Sequence, residues 1–129
     1  MRALLDTQVW LWMLAAPERL SEPVRALVVS ADNELLLSAA SAWEIAIKYA
    51  SGKLRLPEAP GAYVLRLMTR TGVTPLPVHH RHALHVATLP PLHRDPFDRL
   101  LVAQAQLENL PILTADRSFE LYEVETIRA

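Results

Sequence analysis

Asp6, Glu44, Asp98 and Asp116 lie far apart in the chain, yet each falls where an apolar run ends or a helical stretch begins. Asp6 directly follows Ala3-Leu4-Leu5, and Glu44 sits in the first turns of the helical stretch after Leu35-Leu36-Leu37. Asp98 opens the stretch that starts at Pro96, and Asp116 comes just after Pro111-Ile112-Leu113-Thr114. If those runs are strands of one parallel sheet, four separate segments deliver carboxylates to one cleft. Carboxylates so gathered repel one another and resist ionisation unless cations sit among them. Oxygen-only ligation with positions left for water suits Mg²⁺ or Mn²⁺. Two such ions ~3.5–4 Å apart are a recurring device for in-line phosphodiester cleavage, one activating the attacking water and the other stabilising the leaving oxygen.

Taken singly, each acid also has a plain local reading. Asp6 and Asp116 are suitable helix N-caps. Ser41-Ala42-Trp43-Glu44 fits a capping box in which Glu44 reaches back to the Ser41 amide. In Asp95-Pro96-Phe97-Asp98, Asp95 suits the N-cap, Pro96 the first helical position, and Asp98 the positive end of the helix dipole. Capping accounts for any one of these residues, whereas the joint pattern calls for a shared cation site.

The elements that must position the acids follow from apolar periodicity. Short strands are expected at Ala3-Leu4-Leu5, Leu35-Leu36-Leu37, Val73-Thr74-Pro75-Leu76, Pro111-Ile112-Leu113-Thr114 and, more weakly, Val124-Glu125-Thr126-Ile127. Helices are expected from about Val9 to Leu14, after Ser21-Glu22-Pro23, from Ser41 to Ala50, Gly61 to Arg70, His80 to Ala87, and Pro96 to Leu107. Strands alternating with helices imply an α/β/α sandwich with a central parallel sheet of four or five strands, and ligands then sit beyond the carboxyl ends of those strands.

Composition narrows the classes. With 129 residues and 51% hydrophobic content, the chain has the size of one domain over 1–129. Zero cysteines exclude thiolate zinc fingers, cysteine nucleophiles and iron–sulfur ligation, and suit a reducing, cytoplasmic setting. Thirteen basic residues against 14 acidic ones leave a formal charge of -1, which argues against a polybasic mode of nucleic-acid binding. The apolar run before Asp6 is only Ala3-Leu4-Leu5, too short for a signal-peptide core, and no apolar run approaches the ~20 residues of a membrane span.

Several blocks together resemble a known family. They are Leu4-Leu5-Asp6-Thr7, Ala42-Trp43-Glu44-Ile45-Ala46-Ile47-Lys48, Gly52-Lys53-Leu54, Asp95-Pro96-Phe97-Asp98-Arg99-Leu100-Leu101-Val102-Ala103-Gln104-Ala105, and Ile112-Leu113-Thr114-Ala115-Asp116. In order and spacing they are similar to PIN-domain nucleases of the VapC type, the toxin half of a toxin–antitoxin pair. The resemblance covers nearly the whole chain. It implies a PIN-like fold, Mg²⁺- or Mn²⁺-dependent endoribonuclease activity, a homodimer, and inhibition by a small cognate antitoxin. It assigns Asp6, Glu44, Asp98 and Asp116 to the acidic metal site and leaves Asp95 to capping, because the Leu-rich helix begins after Asp98. Gln8 departs from relatives that carry His two residues after the first Asp, at a position that is no expected ligand.

An acidic cleft that receives RNA needs basic residues on its rim, and Lys48, Lys53, Arg55, Arg94 and Arg99 are the candidates. Lys48 stands four residues after Glu44, so an ion pair along the helix competes with a substrate role. Arg99 suits either a phosphate contact or a surface role, and Thr7 and Thr114 either orient the acids and hold substrate or water or make ordinary turn hydrogen bonds. Trp10, Trp12 and Trp43 suit base stacking or, more readily, core and partner contacts. His82 and His85 stand one helical turn apart beside His79 and His80, a spacing open to zinc, though no nearby carboxylate or cysteine completes a set. His93 beside Arg94 is a weak substrate contact.

Three competing readings remain at this level. A haloacid-dehalogenase phosphatase needs a second Asp two residues after Asp6, where this chain has Gln8. A Mg²⁺-binding receiver-type signalling domain wants adjacent acids at the first strand and a Lys after a late one, where Ala115-Asp116-Arg117 stands instead. A catalytically silent PIN-fold binding module would be expected to have lost acids, and all four are present.

Overall fold

The computed structural model describes residues 1–129. Five strands form one wholly parallel sheet: β1 (Arg2–Leu5), β2 (Glu34–Ser38), β3 (Thr74–Leu76), β4 (Ile112–Thr114) and β5 (Thr126–Arg128), in the order β3-β2-β1-β4-β5. Leu4 pairs with Leu36 on one side and Ile112 on the other. Strand order reverses at β1, because the chain winds outward through β2 and β3 and then returns to build β4 and β5 on the opposite side. Such a reversal opens a crevice beyond the carboxyl ends of the two strands that flank it, here β1 and β4.

Alternate side chains of a strand point to opposite faces, and each face here has its own core. Ala3, Leu5, Leu35, Leu37 and Leu113 face one layer, which holds Val9 and Trp10 of α1 (Thr7–Ala15), Val24 of α2 (Glu22–Val29), Ile45 of α3 (Ala39–Ala50) and Val64 of α4 (Pro60–Thr71). Leu4, Leu36, Leu76 and Ile112 face the other. There they meet Leu101, Val102 and Ala105 of α6 (Pro96–Glu108), together with Phe119 and Tyr122. The remaining helix, α5 (His80–His85), packs on α6. No helix is long and apolar enough to cross a membrane.

The elements agree with the sequence in order and type and differ from it at their ends. α1 begins at Thr7 instead of about Val9, because the Asp6 side chain accepts the Gln8 N–H and starts the helix early. α3 begins at Ala39, with Ser38 accepting the Ala40 N–H, so the capping box expected at Ser41 to Glu44 does not form. Ser41 is instead inside the helix and buried, its Oγ accepting a hydrogen bond from Thr7 Oγ1 at 2.8 Å. α5 stops at His85 and tightens into a 3-10 turn over Val86–Thr88. The last strand pairs over Thr126–Arg128, slightly later than the apolar pattern suggests, since Ile112 N–H bonds the Glu125 carbonyl and so sets the register.

Candidate metal centre

Beyond the carboxyl ends of β1 and β4 lies a cleft of about 470 Å³ whose lining includes Asp6, Glu44, Asp95, Asp98 and Asp116, with Lys48 and Lys53 as its cations. All four acids singled out by the sequence are therefore brought together. Each is set by a different local device. Asp6 leaves β1 in extended conformation and becomes the N-cap of α1, its Oδ1 accepting from Gln8 N–H at 3.0 Å. Its Oδ2 accepts from Thr114 Oγ1 at 2.5 Å, and Thr114 Oγ1 in turn accepts the Asp116 N–H at 2.9 Å. The ends of β1 and β4 are thus tied through one hydroxyl.

Asp116 accepts from the backbone N–H of Ser118, which holds its carboxyl below the ordinary range. Asp98 lies in the first turn of α6, behind an N-cap, Asp95, that accepts from the N–H groups of Phe97 and Asp98. Glu44 is almost buried in the second turn of α3, and its Oε2 is 2.6 Å from Lys48 Nζ. Capping does not withdraw Asp6 and Asp116 from the cleft: both line it while their hydrogen bonds start a helical turn.

The electrostatics record what gathering these groups does. Burial pushes the Asp98 carboxyl up to about 7, the His93 hydrogen bond opposing it and the charges of Asp95 and Asp6 adding to it. Asp6 is likewise raised, first by burial, with Glu44 and Asp116 adding repulsion against the Thr114 and Gln8 hydrogen bonds. The Lys48 ammonium is raised by its bond to Glu44. A cluster of oxygen donors in which two members resist ionisation suits a hard divalent cation, which would remove the repulsion and reverse both shifts.

The other expectations fare differently. Thr114 is buried and engaged with Asp6 and Asp116, so it positions acids and does not reach substrate. Arg99 turns away from the cleft: its guanidinium donates to the carbonyls of Pro90 at 2.9 Å and Val86 at 3.3 Å and to the Tyr122 hydroxyl at 3.1 Å. That corrects its reading as a phosphate contact, since all the reach of the side chain is used in clamping the 86–93 segment onto α6. Arg99→Ala is expected to destabilise the protein by about 1–3 kcal/mol, as loss of several bonds to a charged donor should. Denaturant unfolding measures it; unchanged stability with weakened RNA binding would restore the phosphate reading.

Arg55 lines an apolar groove beside the cleft, with Leu11, Trp12, Leu56 and Tyr63. Arg94 is exposed and lies outside the lining of the cleft. Trp10 is wholly buried in the core, Trp12 borders both cleft and groove, and Trp43 is exposed and packs edge-on against Phe97. Two histidines of α5, His82 and His85, are tied into the fold. His82 is buried, its Nδ1 accepting the His79 N–H and its Nε2 bonding Glu108, while His85 bonds Gln106.

Sequence reasoning undervalued Asp95, which lines the cleft as well as capping α6, and His93, whose Nε2 is hydrogen-bonded with Asp98 Oδ2 at 2.8 Å. A signal for the latter was available. An N-cap folds the chain preceding a helix back over its first turn, so a residue just before the cap can reach the third helical position.

A family model for the PIN domain matches residues 3–125. The chain belongs to the PIN-domain family. It is 54% identical over 61 residues to Ribonuclease VapC16 of Mycobacterium tuberculosis, a match that covers 47% of this chain and 43% of that relative. A chain in the crystal structure of VapBC2 from Rickettsia felis bound to a DNA fragment from their promoter superposes with a TM-score of 0.75 at 14% identity, covering 100% of this chain and 99% of that one. One in DNA-bound VapBC from Salmonella typhimurium gives 0.72 at 18% identity, over 99% and 98% of the two chains. FitAcB from Neisseria gonorrhoeae gives 0.68 at 22%, over 99% and 97%. At these identities the structural likenesses establish the PIN fold, with its parallel sheet between helical layers.

Proposed function

We propose that the chain, as one nuclease domain over residues 1–129, is a metal-dependent endoribonuclease and the toxin of a toxin–antitoxin pair, working in the cytoplasm. The observation that carries this reading is the convergence of Asp6, Glu44, Asp98 and Asp116 on one cleft at the switch between β1 and β4. These four acids would hold Mg²⁺ or Mn²⁺, which when bound would lower the pKa of a water and neutralise charge on the phosphate. The chain's own contribution is positional: Thr114 fixes Asp6 and Asp116 to each other, and the helix caps hold both carboxylates at the lining of the cleft. Lys48 and Lys53 meet the RNA phosphates at the rim. RNA is preferred to DNA as substrate on the strength of the 61-residue likeness to a ribonuclease.

Two partners belong to the same reading. A small antitoxin takes the apolar groove of Leu11, Trp12, Leu56 and Tyr63, which opens beside the cleft. A second copy of the chain covers the exposed apolar stripe of α3, on which Trp43 and Ile47 are 60% and 43% exposed, giving a homodimer.

The test is cleavage of mixed RNA and of single-stranded DNA by the purified protein with Mg²⁺ or Mn²⁺, beside EDTA. Discrete RNA cuts that vanish with EDTA are expected. Metal binding without cleavage of either polymer would overturn the reading in favour of a silent binding module.

A further inference from the structure

One nitrogen donor stands beside two of the carboxylates that line the cleft. His93 Nε2, a carboxylate oxygen of Asp98 and a carboxylate oxygen of Asp116 lie within 4.8 Å of one another. Neighbouring ligands of an ion with bonds of ~2.1 Å stand ~3 Å apart and opposite ligands ~4.2 Å apart. The 4.8 Å limit exceeds that span by about 0.6 Å at most, within the adjustment of a side chain, and His93 Nε2 is 2.8 Å from Asp98 Oδ2, close to the separation of adjacent ligands.

Each atom comes from a firmly seated segment. Asp98 is fixed in the first turn of α6 behind the Asp95 cap, and Asp116 by the Ser118 N–H and hydroxyl. His93 leads into that cap from a segment clamped by Arg99 on the Pro90 carbonyl. Its side chain is 26% exposed, open enough for an ion to enter yet held by its bond to Asp98. Of the five histidines, His93 is the one grouped at ligand distance with two carboxylates, while His82 and His85 are engaged with Glu108 and Gln106 on α6.

We propose that His93 is a metal ligand through Nε2 alongside Asp98 and Asp116, making this a mixed nitrogen–oxygen centre that selects a first-row transition ion over Mg²⁺. The proposal rests on the reading of the acidic cleft as a cation site. Mg²⁺ takes oxygen donors and keeps its waters, whereas an imidazole adds affinity for the transition ions that follow it in nitrogen preference.

The test uses the full chain loaded with Mn²⁺ as probe. Pulsed electron paramagnetic resonance on protein labelled with ¹⁵N-histidine alone is expected to show a ¹⁵N coupling to the ion in place of the ¹⁴N coupling of unlabelled protein. His93→Gln should lose that coupling and raise the Mn²⁺ dissociation constant about tenfold or more, with Mg²⁺ affinity little changed. Mn²⁺ that binds and is released by Asp6→Asn, yet shows no histidine coupling, would overturn the His93 proposal and leave the acidic centre standing. Mn²⁺ that binds nowhere Asp6→Asn affects would overturn both. The labelled wild-type protein decides the matter even if His93→Gln does not fold.

Discussion

Asp6→Asn is expected to lower metal-dependent RNA cleavage by about a thousandfold, the order of effect that follows loss of a preorganised charged group at a reacting phosphate, while leaving the fold intact. The two halves of that expectation separate because the two oxygens of Asp6 do different work. Oδ1 caps α1 by accepting from Gln8 N–H, and an Asn side-chain oxygen does the same nearly as well. Oδ2 accepts from Thr114 Oγ1, and the Asn amide nitrogen in its place can donate to that hydroxyl, which rotates to accept. Lost is the negative charge alone. Since that carboxylate is raised by burial and by the charges of Glu44 and Asp116, the metal-free variant should melt no lower than the wild type. Single-turnover cleavage and thermal melting on the same preparations check both statements. A large fall in melting temperature would mean that the cap, and not the charge, is what the residue supplies.

Most of the fold was legible because a buried parallel sheet writes itself as short apolar runs, and Leu4, Leu36 and Ile112 are the centres of three of them. The candidate acids were legible for a related reason: a residue just past such a run has little choice but to lie at the carboxyl edge. Glu44 is instructive, since its local capping reading failed once Ser38 and not Ser41 proved to start α3. A serine that can cap and a serine that packs inside a helix look alike until the partner is known, and Ser41's partner, Thr7, lies across the fold. Arg99 fails for the same reason. Its neighbours in sequence suggest the cleft, but its bonds run to Pro90, Val86 and Tyr122, whose carbonyls and hydroxyl no local pattern predicts. Binary patterning carries layers and order; the aim of a long polar side chain is decided by tertiary contacts.

Asp98 supplies a pH dependence opposite to that of most carboxylates, and with it the second large effect. Its folded-state value of about 7 lies above the ~3.9 of an unfolded chain, so between those limits the folded protein holds more protons than the unfolded one. Stability of the metal-free protein from this group is then greatest at low pH and is lost as pH rises from about 4 through about 7. The full shift corresponds to about 4 kcal/mol, and solvent screening of a partly exposed side chain brings the expected loss to about 2 kcal/mol. Asp116, held below the ordinary range, has already ionised across this window and does not offset the trend. In EDTA, unfolding free energy should therefore fall between pH 5 and pH 8 by at least that amount, and Asp98→Asn should lessen the fall, the raised Asp6 carboxyl keeping a part of it, and be the more stable protein at pH 8. Saturating metal reverses the comparison, because an ion neutralises the repulsion that raised Asp98 and stabilises only the chain that still binds it. Denaturant titrations of both proteins at pH 5 and pH 8, with and without Mn²⁺, read all of these at once. Equal slopes with pH for wild type and Asp98→Asn in EDTA would show that the carboxylate is ionised in the folded state at pH 5 and that the cleft tolerates its charge without a cation.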